Sequence, residues 1–535
     1  MACLLQPWMP YDQSLHWQIH DRYFSQRGIG AWQDGEVPWY RTNNSGTATD
    51  AAEFLIELVQ TLQSEGKLQA DDPVWIMEVG SGIGHFAANL CKALDLRLDA
   101  AGVALLQRLR YVLSDFAELS IIQALKTPHL QPWVARGVIV PALYDLRKPG
   151  ELTLLDRADK PPQLCLIIAS YVCDVMPCKL LQRREGDWFE QIVQICAENE
   201  PDTAHATEVL DRLLNRPIGD HVLPDLNTEF DWQAIDLATG LPHPLHAPLI
   251  EHFTQGLGDV SLAYHYPFFE FLQGCAPVLR QGGAVLVNDW GPVLRQRTQG
   301  RANKRPSLYG NSMSHEVAFG LFDALPAKTN WQVLRTHDAL ASLQTVALRH
   351  DAAFSPQMTQ TFDRVWVQNE HGEDFVDLSL AARVLNEQKH LGASARFFRR
   401  LLRMDPGNVE WLYKLGDACL DASQPEAAKA VLLEGFALDT ARAHDFEFQI
   451  GRACAHLEQQ DEAVKWYTQS LEREDHPTTH ANLGALHEAR GEFAQAYQSL
   501  QRALAIEPEH PRALETMESL KLAWWQEGVK RFEAG

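Results

Sequence analysis

The chain has 535 residues, of which 46% are hydrophobic and 22% charged, and these ordinary globular values exclude extensive disorder. Its length predicts two to four domains. A formal net charge of −23 argues against nucleic acid as the substrate, because such a surface repels phosphates, and favours a basic protein or peptide as a partner.

The start of the chain and the cysteines predict a cytoplasmic protein. Residues 1–12 lack a basic stretch followed by an apolar run, and no run of eighteen apolar residues follows, so we expect neither secretion nor a membrane span. The 9 cysteines contain no CxxC pair, which predicts reduced thiols and no zinc site.

Residues 51–350 are predicted to form a Rossmann-like α/β domain, with 1–50 as its N-terminal segment. Short apolar runs alternate with helical stretches, which is typical of a mostly parallel sheet covered by helices. The predicted strands are Val74–Val79, Arg110–Leu113, Val138–Val140, Leu164–Ala169 and Ala284–Asn288. Two later runs, Trp331–Leu334 and Thr345–Leu348, are expected to close the sheet edge as an antiparallel pair. Residues 200–262, rich in Pro, His and Leu, are interpreted as an insertion or lid.

The segment VWIMEVGSGIGHFAANL contains a glycine-rich turn between a strand and a helix. The strand ends with Glu78, and a helix begins near His85. Such a turn needs glycine because the backbone bends tightly and contacts a ligand where a Cβ would interfere. The turn itself comprises Gly80, Ser81, Gly82, Ile83 and Gly84.

Two classes of ligand use turns of this kind. A dinucleotide site needs glycine at the first, third and sixth places, whereas the sixth place here is His85. The spacing, with Glu78 two residues before the first glycine, resembles motif I of S-adenosylmethionine methyltransferases. A carboxylate there suits an ammonium and a sulfonium and would repel a pyrophosphate. A nucleotide cofactor and a purely structural turn are the alternatives.

The next two strands add candidate nucleoside-binding residues. The sequence YVLSD places Asp115 at a strand end, where a carboxylate can hydrogen-bond both ribose hydroxyls. The alternative for Asp115 is an N-cap of the following helix. After the third strand, ALYD places Tyr144 and Asp145 near the expected adenine position, although aspartates are also common in turns.

Across residues 20–350 the chain resembles the MidA-type methyltransferases, relatives of a mitochondrial arginine methyltransferase that assists respiratory complex I assembly. The resemblance rests on RYFSQRGIGAWQDGEVPWYRTNNSGTATDAAEFL, on the glycine turn, on ASYVCDVMP with Asp174 and Pro177, and on Asp289-Trp290-Gly291. It implies S-adenosyl-L-methionine as the cofactor and adds Thr42 to the cofactor site. Family members carry an Asn-Glu pair after the fourth strand where this chain has Ala169-Ser170, so a carboxylate that could orient a guanidinium is missing.

Methyl transfer from a sulfonium is an in-line displacement that requires positioning groups and no covalent residue. These groups are expected after strands four and five. The candidates are Ser170, Tyr171, Asp174, Asp289 and Trp290. Alternatively, Asp174 caps a helix and Trp290 belongs to the core.

The histidines give no metal prediction. His243, His246 and His252 lie in a Pro-rich stretch without the ligand spacing of a zinc site. His315, in HEVAFGLFDAL, is interpreted as a structural histidine, with a general base as the alternative.

After a predicted linker at 351–372, residues 373–510 resemble four tetratricopeptide repeats, and 511–535 a capping helix. The period is near 34 residues, and small residues recur at two fixed places. The recurring residues are Gly416, Gly451 and Gly484, then Ala428, Ala463 and Ala496, with Ala382 and Ser394 in an upstream copy, and Pro406 and Pro508 ending second helices. A generic array of helical hairpins is the alternative. Either array would bind a protein or peptide.

The sequence therefore predicts a methyltransferase that acts on a protein side chain recruited through the repeats. A non-catalytic adaptor with a degenerate methyltransferase fold and a small-molecule methyltransferase are the alternatives. The acceptor atom, the partner and the oligomeric state are not predicted.

Overall fold

The computed structural model of the chain describes residues 3–33, 37, 43–96, 100–156, 163–197, 206–215, 221–301, 305–337, 343–367, 381–404, 407–439 and 442–534. The chain forms two compact units, Met1–Asp374 and Phe375–Gly535. Among the described residues, no helix combines the length and apolar character needed to span a bilayer.

The first unit contains strands and helices. Its strands are β1 (Cys3–Pro10), β2 (Val74–Val79), β3 (Leu109–Asp115), β4 (Ile139–Leu143), β5 (Thr153–Leu154), β6 (Leu164–Ser170), β7 (Lys179–Arg184), β8 (Asp187–Ala197), β9 (Leu226–Ala234), β10 (Val260–Tyr264), β11 (Leu279–Trp290), β12 (Ser307–Tyr309), β13 (Ser312–Ser314), β14 (Trp331–Arg335) and β15 (Leu343–His350). Its α-helices are α1 (Leu15–Arg27), α2 (Gly30–Gln33), α3 (Ser45–Ser64), α4 (His85–Leu96), α5 (Ala100–Arg108), α6 (Glu118–Ala124), α7 (Gln131–Ala135), α8 (Ala206–Leu214), α9 (Leu237–Gly240), α10 (His246–Thr254), α11 (Tyr266–Gly274), α12 (Leu325–Lys328) and α13 (Pro356–Phe362).

A mixed sheet with the strand order β14-β15-β11-β6-β2-β3-β4-β5 forms the centre of this unit. The pairings between β11, β6, β2, β3 and β4 are parallel, and the pairings at both edges are antiparallel. The predicted antiparallel pair at one edge is therefore confirmed as β14 and β15. Because parallel strands end at the same side of a sheet, the loops after β2, β3, β6 and β11 share one edge.

Hydrophobic side chains cover both faces of the central sheet. Neighbouring β2 residues Ile76 and Met77 belong to different buried clusters, as the alternation of a strand requires. The Ile76 cluster contains Phe54 of α3 and Phe86 of α4, whereas the Met77 cluster contains Phe271 of α11. The sheet is thus a middle layer between two sets of helices.

The structure contains a second sheet that the sequence pattern did not predict. All its pairings are antiparallel. β1 and β7 pair with different parts of one side of β8, β9 pairs with the opposite side of β8, and β10 pairs with β7. Lys179 is buried in it, with its Nζ 3.2 Å from Asp12 Oδ1 and 2.5 Å from Glu190 Oε2. Residues 200–262, interpreted as an insertion or lid, supply β9 and β10 to this sheet.

Part of the segment assigned to a linker is folded. Residues 356–367 form α13 and a further helical turn, and the Met358 and Phe362 side chains are buried. The Phe362 ring lies 6.5 Å from the ring of Phe54 of α3. These residues therefore pack with the first unit.

The described part of the second unit is helical. Its helices are α14 (381–387), α15 (Leu391–Met404), α16 (Val409–Asp421), α17 (Pro425–Leu438), α18 (Phe446–His456), α19 (Gln460–Arg473), α20 (Pro477–Ala489), α21 (Phe493–Ile506) and α22 (Pro511–Ala534). On α22, Leu522, Trp524 and Trp525 are 57%, 50% and 67% exposed.

The repeated small residues lie where consecutive helices approach closely. A Cβ on Gly416 would lie 2.3 Å from Leu432 Cδ2, and Cβ atoms on Gly451 and Gly484 would lie 2.7 and 2.6 Å from side-chain atoms of the following helix. The other repeated residues, Ala428, Ala463, Ala496, Ala382 and Ser394, are fully buried. Pro406 lies outside the described residues. The period in the sequence thus reports helix packing.

Candidate functional site

The predicted glycine turn connects β2 to α4. The φ angle is +65° at Gly80, +51° at Gly82 and +75° at Gly84, a region that residues with a Cβ rarely adopt. A Cβ on Gly84 would lie 2.3 Å from Leu130 Cδ1, and one on Gly80 would lie 3.1 Å from Val172 Cγ2. Backbone conformation and close packing therefore both require glycine here.

Ser81 attaches this turn to the ends of β2 and β3. Its N–H donates to Ser114 O over 2.9 Å, and its hydroxyl accepts a hydrogen bond from the Ser114 N–H over 3.0 Å. The Ser114 hydroxyl donates to Glu78 O over 2.6 Å. The two strand ends and the turn are thus held in one arrangement.

Glu78 and Asp115 are buried carboxyls at the ends of these neighbouring strands, each 3% exposed. Glu78 Oε2 accepts a hydrogen bond from the Tyr111 hydroxyl over 2.8 Å. Burial raises the pKa of Glu78 to about 8 and the pKa of Asp115 to about 6. Among the described residues neither carboxyl forms an ion pair. Near neutral pH Asp115 is therefore mostly ionised, whereas Glu78 keeps its proton unless a cationic ligand lowers its pKa.

Asp115 is not the N-cap of the helix that follows it. Its Oδ1 accepts the N–H of Ala117 over 2.9 Å, whereas Ala117 itself occupies the N-cap position of α6. Backbone N–H groups of Gly82 and Phe116 also lower its pKa, although burial outweighs them. The carboxyl therefore faces the glycine turn rather than capping a helix.

The Trp32 side chain, which the sequence analysis did not select, covers part of this turn. Its indole atoms Cε2, Cδ2 and Cζ2 lie 3.3, 3.5 and 3.5 Å from the position of a Cβ on Gly82. The similar distances show that a face of the indole is turned toward the glycine. Trp32 therefore covers the Gly82 part of the candidate ligand crevice.

The remaining predicted cofactor residues differ in their surroundings. Tyr144 is 1% exposed, and its hydroxyl donates to Pro149 O over 3.3 Å. Asp145 accepts two hydrogen bonds from Arg147, over 2.9 and 3.1 Å, and Arg147 also contacts Asp21. Thr42 lies outside the described residues. A ligand role for Tyr144, Asp145 and Thr42 stays a prediction.

Ser170 and Tyr171, which the sequence predicts as positioning residues, lie at the end of β6. The Ser170 hydroxyl accepts a hydrogen bond from Asn288 Nδ2 over 3.2 Å, and the Tyr171 N–H donates to Asn288 O over 2.9 Å. Tyr171 has a φ of +51°, which is unusual for a non-glycine residue. The chain thus turns sharply at the end of this strand.

Asp174 and Asp289 form a buried pair at the same edge of the sheet. Asp289 Oδ2 accepts the N–H groups of Cys173 and Asp174 over 3.0 and 3.2 Å. Asp174 Oδ2 accepts hydrogen bonds from Trp290 Nε1 and the Ser314 hydroxyl over 2.9 and 2.7 Å. Burial raises the pKa of Asp174 to about 6, and burial together with Asp174 raises the pKa of Asp289 well above its usual value. The pair therefore keeps a proton near neutral pH.

The histidines behave as structural groups. His315 is 1% exposed, and its Nε2 lies 2.9 Å from the Tyr11 hydroxyl. The backbone N–H of His315 donates to the backbone carbonyl of Asp174 over 2.8 Å. His246 is also buried, with its Nδ1 2.6 Å from the Tyr264 hydroxyl. In the described part of the chain, no group of three or more His, Cys, Asp or Glu side chains is arranged to hold a metal ion.

Residues that sequence reasoning missed lie mostly far from the motif along the chain. Trp32 lies in the N-terminal segment that carries the family resemblance but was not singled out there, and Ser314 lies in a segment with no recognised pattern. Only their packing reveals them. Tyr111 was visible as a polar aromatic residue inside a predicted strand, which often means a buried hydrogen bond. Arg147 could have been found from its spacing, two residues after Asp145.

The donor side of this arrangement fits a ligand with positive charge and nucleoside hydroxyls. Two buried carboxyls flank a turn whose central glycine presents backbone without a side chain. Ionised carboxylates there would stabilise a cation and accept hydrogen bonds from hydroxyl groups. A pyrophosphate would meet two acids and no described basic side chain bonded to either.

Comparison with protein families gives two matches. The model described as "Putative S-adenosyl-L-methionine-dependent methyltransferase" matches residues 52–347, and a tetratricopeptide repeat model matches residues 479–512. No curated protein matches the chain at the required significance.

Several solved structures are similar to parts of the chain. A Burkholderia thailandensis protein bound to S-adenosyl-homocysteine is 15% identical with a TM-score of 0.40, and the match covers 67% of this chain and 91% of that one. The MamA protein is 22% identical with a TM-score of 0.27, over 30% of this chain and 90% of that one. YrrB, a tetratricopeptide repeat protein with an unusual peptide-binding site, is 21% identical with a TM-score of 0.26, over 30% and 82% of the two chains.

Proposed function

The chain belongs to the family of S-adenosyl-L-methionine-dependent methyltransferases, and we propose that it methylates a protein side chain recruited through its tetratricopeptide repeats. The carrying observation is the glycine turn after Glu78, flanked by two buried carboxyls that form no ion pair with a described residue. The cofactor is S-adenosyl-L-methionine, which supplies a methyl group on a positively charged sulfur.

We assign the donor side to the turn and the two carboxyls. The positive φ angles of Gly80, Gly82 and Gly84 give the turn its tight path, and the donor is assigned to the backbone of this turn. Asp115, ionised above a pKa of about 6, accepts hydrogen bonds from the ribose hydroxyls. Glu78 lies just before the turn, and a bound ammonium or sulfonium would lower its raised pKa and stabilise its ionised form.

The acceptor side comprises the loops after β6 and β11. Ser170 and Tyr171 follow one strand, and Asp174 and Asp289 bind the two loops together. In-line transfer needs the acceptor atom held about 3 to 3.5 Å from the methyl carbon. These four residues act by positioning, because displacement from a sulfonium requires no covalent group on the protein.

Two features support a protein as the acceptor. The repeat unit exposes large apolar side chains at Phe436, Trp524 and Trp525, which are typical of a surface that binds a partner. The net charge of −23 favours a basic partner.

We further propose kinship with the MidA-type enzymes, but Ala169-Ser170 replaces their Asn-Glu pair, so an arginine acceptor lacks its orienting carboxylate. All 9 cysteines are free thiols, which supports a reducing, cytoplasmic location.

Labelled methyl transfer tests this function. The full chain is incubated with labelled S-adenosyl-L-methionine and protein extract, and products are resolved by mass spectrometry. We expect label in a protein and its loss in Gly82→Arg, which places a side chain in the donor crevice. Trp524→Ala with Trp525→Ala should lower transfer to that protein and leave donor binding unchanged, whereas Lys521→Ala on the same helix serves as the control.

The non-catalytic adaptor is the second candidate, favoured by the missing Asn-Glu pair. It predicts donor binding without turnover in any extract. Label found only in metabolites, and unaffected by the two tryptophan substitutions, would instead indicate a small-molecule methyltransferase. Label in no product and no donor binding would contradict the whole proposal.

A further inference from the structure

Trp32 lies where the donor would approach the glycine turn most closely. The three indole atoms within 3.5 Å of the Gly82 Cβ position leave no room for another atom between ring and backbone. Gly82 is also the central glycine of the turn, with a φ of +51°. The indole therefore lies against Gly82, over the place where any other residue would have its side chain.

An aromatic cluster holds Trp32 in this position. Its ring lies 5.2 Å from Phe24, which in turn lies 5.2 Å from Tyr23. Phe116, the residue directly after Asp115, packs on the same cluster. Residues 15–33, which form α1 and α2, are thereby attached to the donor side of the site.

An ion bridge attaches the same segment at a second point. Arg147 contacts Asp21 of α1 over 2.6 Å and Asp145 over 2.9 Å, and its guanidinium lies 5.6 Å from the Phe116 ring. The side chains of Arg147 and Asp21 are 31% and 37% exposed, so the bridge is accessible to solvent and can break at modest cost. Gly28, with a φ of +56°, separates α1 from α2.

We propose that Trp32 competes with the methyl donor for the face of Gly82, so that donor binding requires α2 to withdraw and the seated indole lowers the observed affinity. This inference rests on the proposed function, because it concerns the same crevice. The apparent dissociation constant is the intrinsic one divided by the fraction of molecules with Trp32 withdrawn. If that fraction is about one tenth, removing the indole strengthens donor binding about tenfold.

A supporting wall gives the opposite expectation. Were Trp32 to contact the bound donor, truncation to alanine would remove that contact and weaken binding. The direction of the change therefore separates competition from support. Loss of fold also weakens binding, so a gain of affinity cannot arise from damage to the protein.

The experiment measures calorimetric binding of S-adenosyl-homocysteine and S-adenosyl-L-methionine to the full chain. We expect Trp32→Ala to bind both ligands about tenfold more tightly than the unsubstituted chain. The affinity of Trp32→Phe should lie between the affinities of these two proteins. Asp21→Asn weakens the ion bridge without touching the crevice and should strengthen binding about two- to fivefold, with a faster association rate in stopped flow. Lys521→Ala, in the other unit, is the control and should leave both constants unchanged.

Unchanged or weaker binding by both Trp32→Ala and Asp21→Asn would overturn the competition while leaving the proposed function intact. If Trp32→Ala alone fails to fold, as thermal unfolding without ligand would show, Asp21→Asn decides the question. Failure of every variant and of the unsubstituted chain to bind either ligand would instead overturn the proposed function, and the inference with it.

Discussion

Replacing Asp115 by Asn is expected to weaken donor binding and to remove its pH dependence between pH 5 and 7. Asp115 is 3% exposed, and burial raises its pKa to about 6. It is then ionised in about one tenth of the molecules at pH 5 and in about nine tenths at pH 7. Since the ionised form is the better hydrogen-bond acceptor for ribose hydroxyls, affinity should rise about tenfold over this range. Losing the charged acceptor should cost about 1.5–3 kcal/mol at pH 7, or about 10- to 100-fold in affinity.

Calorimetric titration of the full chain with S-adenosyl-homocysteine at several pH values provides the measurement. The ligand's own groups titrate identically with both proteins, so the ratio of the two dissociation constants isolates Asp115. Asp95→Asn is a matched control, because Asp95 is a carboxylate on α4 that pairs with Arg136 over 3.1 Å. The reasoning is refuted if the unsubstituted chain binds equally well at pH 5 and 7, or if Asp115→Asn keeps the original slope.

Three further predictions concern stability, each measured by urea unfolding. Gly84→Ala should lower the free energy of unfolding by about 1 kcal/mol more than Gly66→Ala, because both have positive φ but only the first Cβ meets a leucine 2.3 Å away; equal losses would contradict the packing argument. Gly484→Ala should destabilise the repeat unit by about 1–3 kcal/mol, because its Cβ would meet the following helix. Gly392→Ala, in a helix with open space around it, should instead stabilise the unit by about 0.5–1 kcal/mol. A gain in stability at both positions would count against the close approach of the helices. Burial raises the pKa of Asp174 from 3.8 to about 6, so this group makes the protein less stable as pH rises from about 4 to about 6. Asp174→Asn should reduce that fall in stability, and an unchanged fall would show that another group causes it.

The elements that the sequence predicted are those specified by local patterns. Gly80, Gly82 and Gly84 could be recognised because their positive φ angles exclude other residues. The repeat glycines Gly416 and Gly451 could be recognised because the same close helix approach recurs at a fixed interval.

The second sheet escaped prediction because long-range pairing defines it. Cys3 of β1 pairs with Ala197 of β8, and no local pattern indicates a partner so distant in the chain. The hairpin between β7 and β8 turns at Glu185 and Gly186, with φ angles of +55° and +102°. Glutamate is rare at such a position, so the usual Asn-Gly signal for a tight hairpin is missing.

The same distinction explains what was missed at the site. Trp32 reaches Gly82 only because the chain reverses at Gly28, whose φ is +56°. A lone glycine followed by a tryptophan carries no information about that contact. The glycine turn could therefore be predicted from the sequence, whereas the indole that covers it is revealed only by tertiary packing.

The two halves of the site differ in how their polar groups are satisfied, and this difference bears on acceptor recognition. On the proposed donor side, the buried carboxyls Glu78 and Asp115 form no ion pair with a described residue, and Asp115 is mostly ionised near neutral pH. On the acceptor side, Asp289 holds the N–H groups of Cys173 and Asp174, so its hydrogen-bonding capacity is used within the protein.

The polar groups at the end of β6 are also bonded within the protein. The Ser170 hydroxyl accepts from Asn288, whose Oδ1 in turn accepts a hydrogen bond from the Thr345 hydroxyl over 2.9 Å. In such a site the polar groups near the acceptor are bonded within the protein. They can position an acceptor, but they discriminate weakly among different cationic acceptors. Under the proposed function, selectivity would come from contacts away from the reacting atoms, and the exposed Phe436, Trp524 and Trp525 of the repeat unit are candidates to supply them. A variant lacking those exposed side chains should therefore lose selectivity among protein acceptors before it loses the capacity to transfer a methyl group.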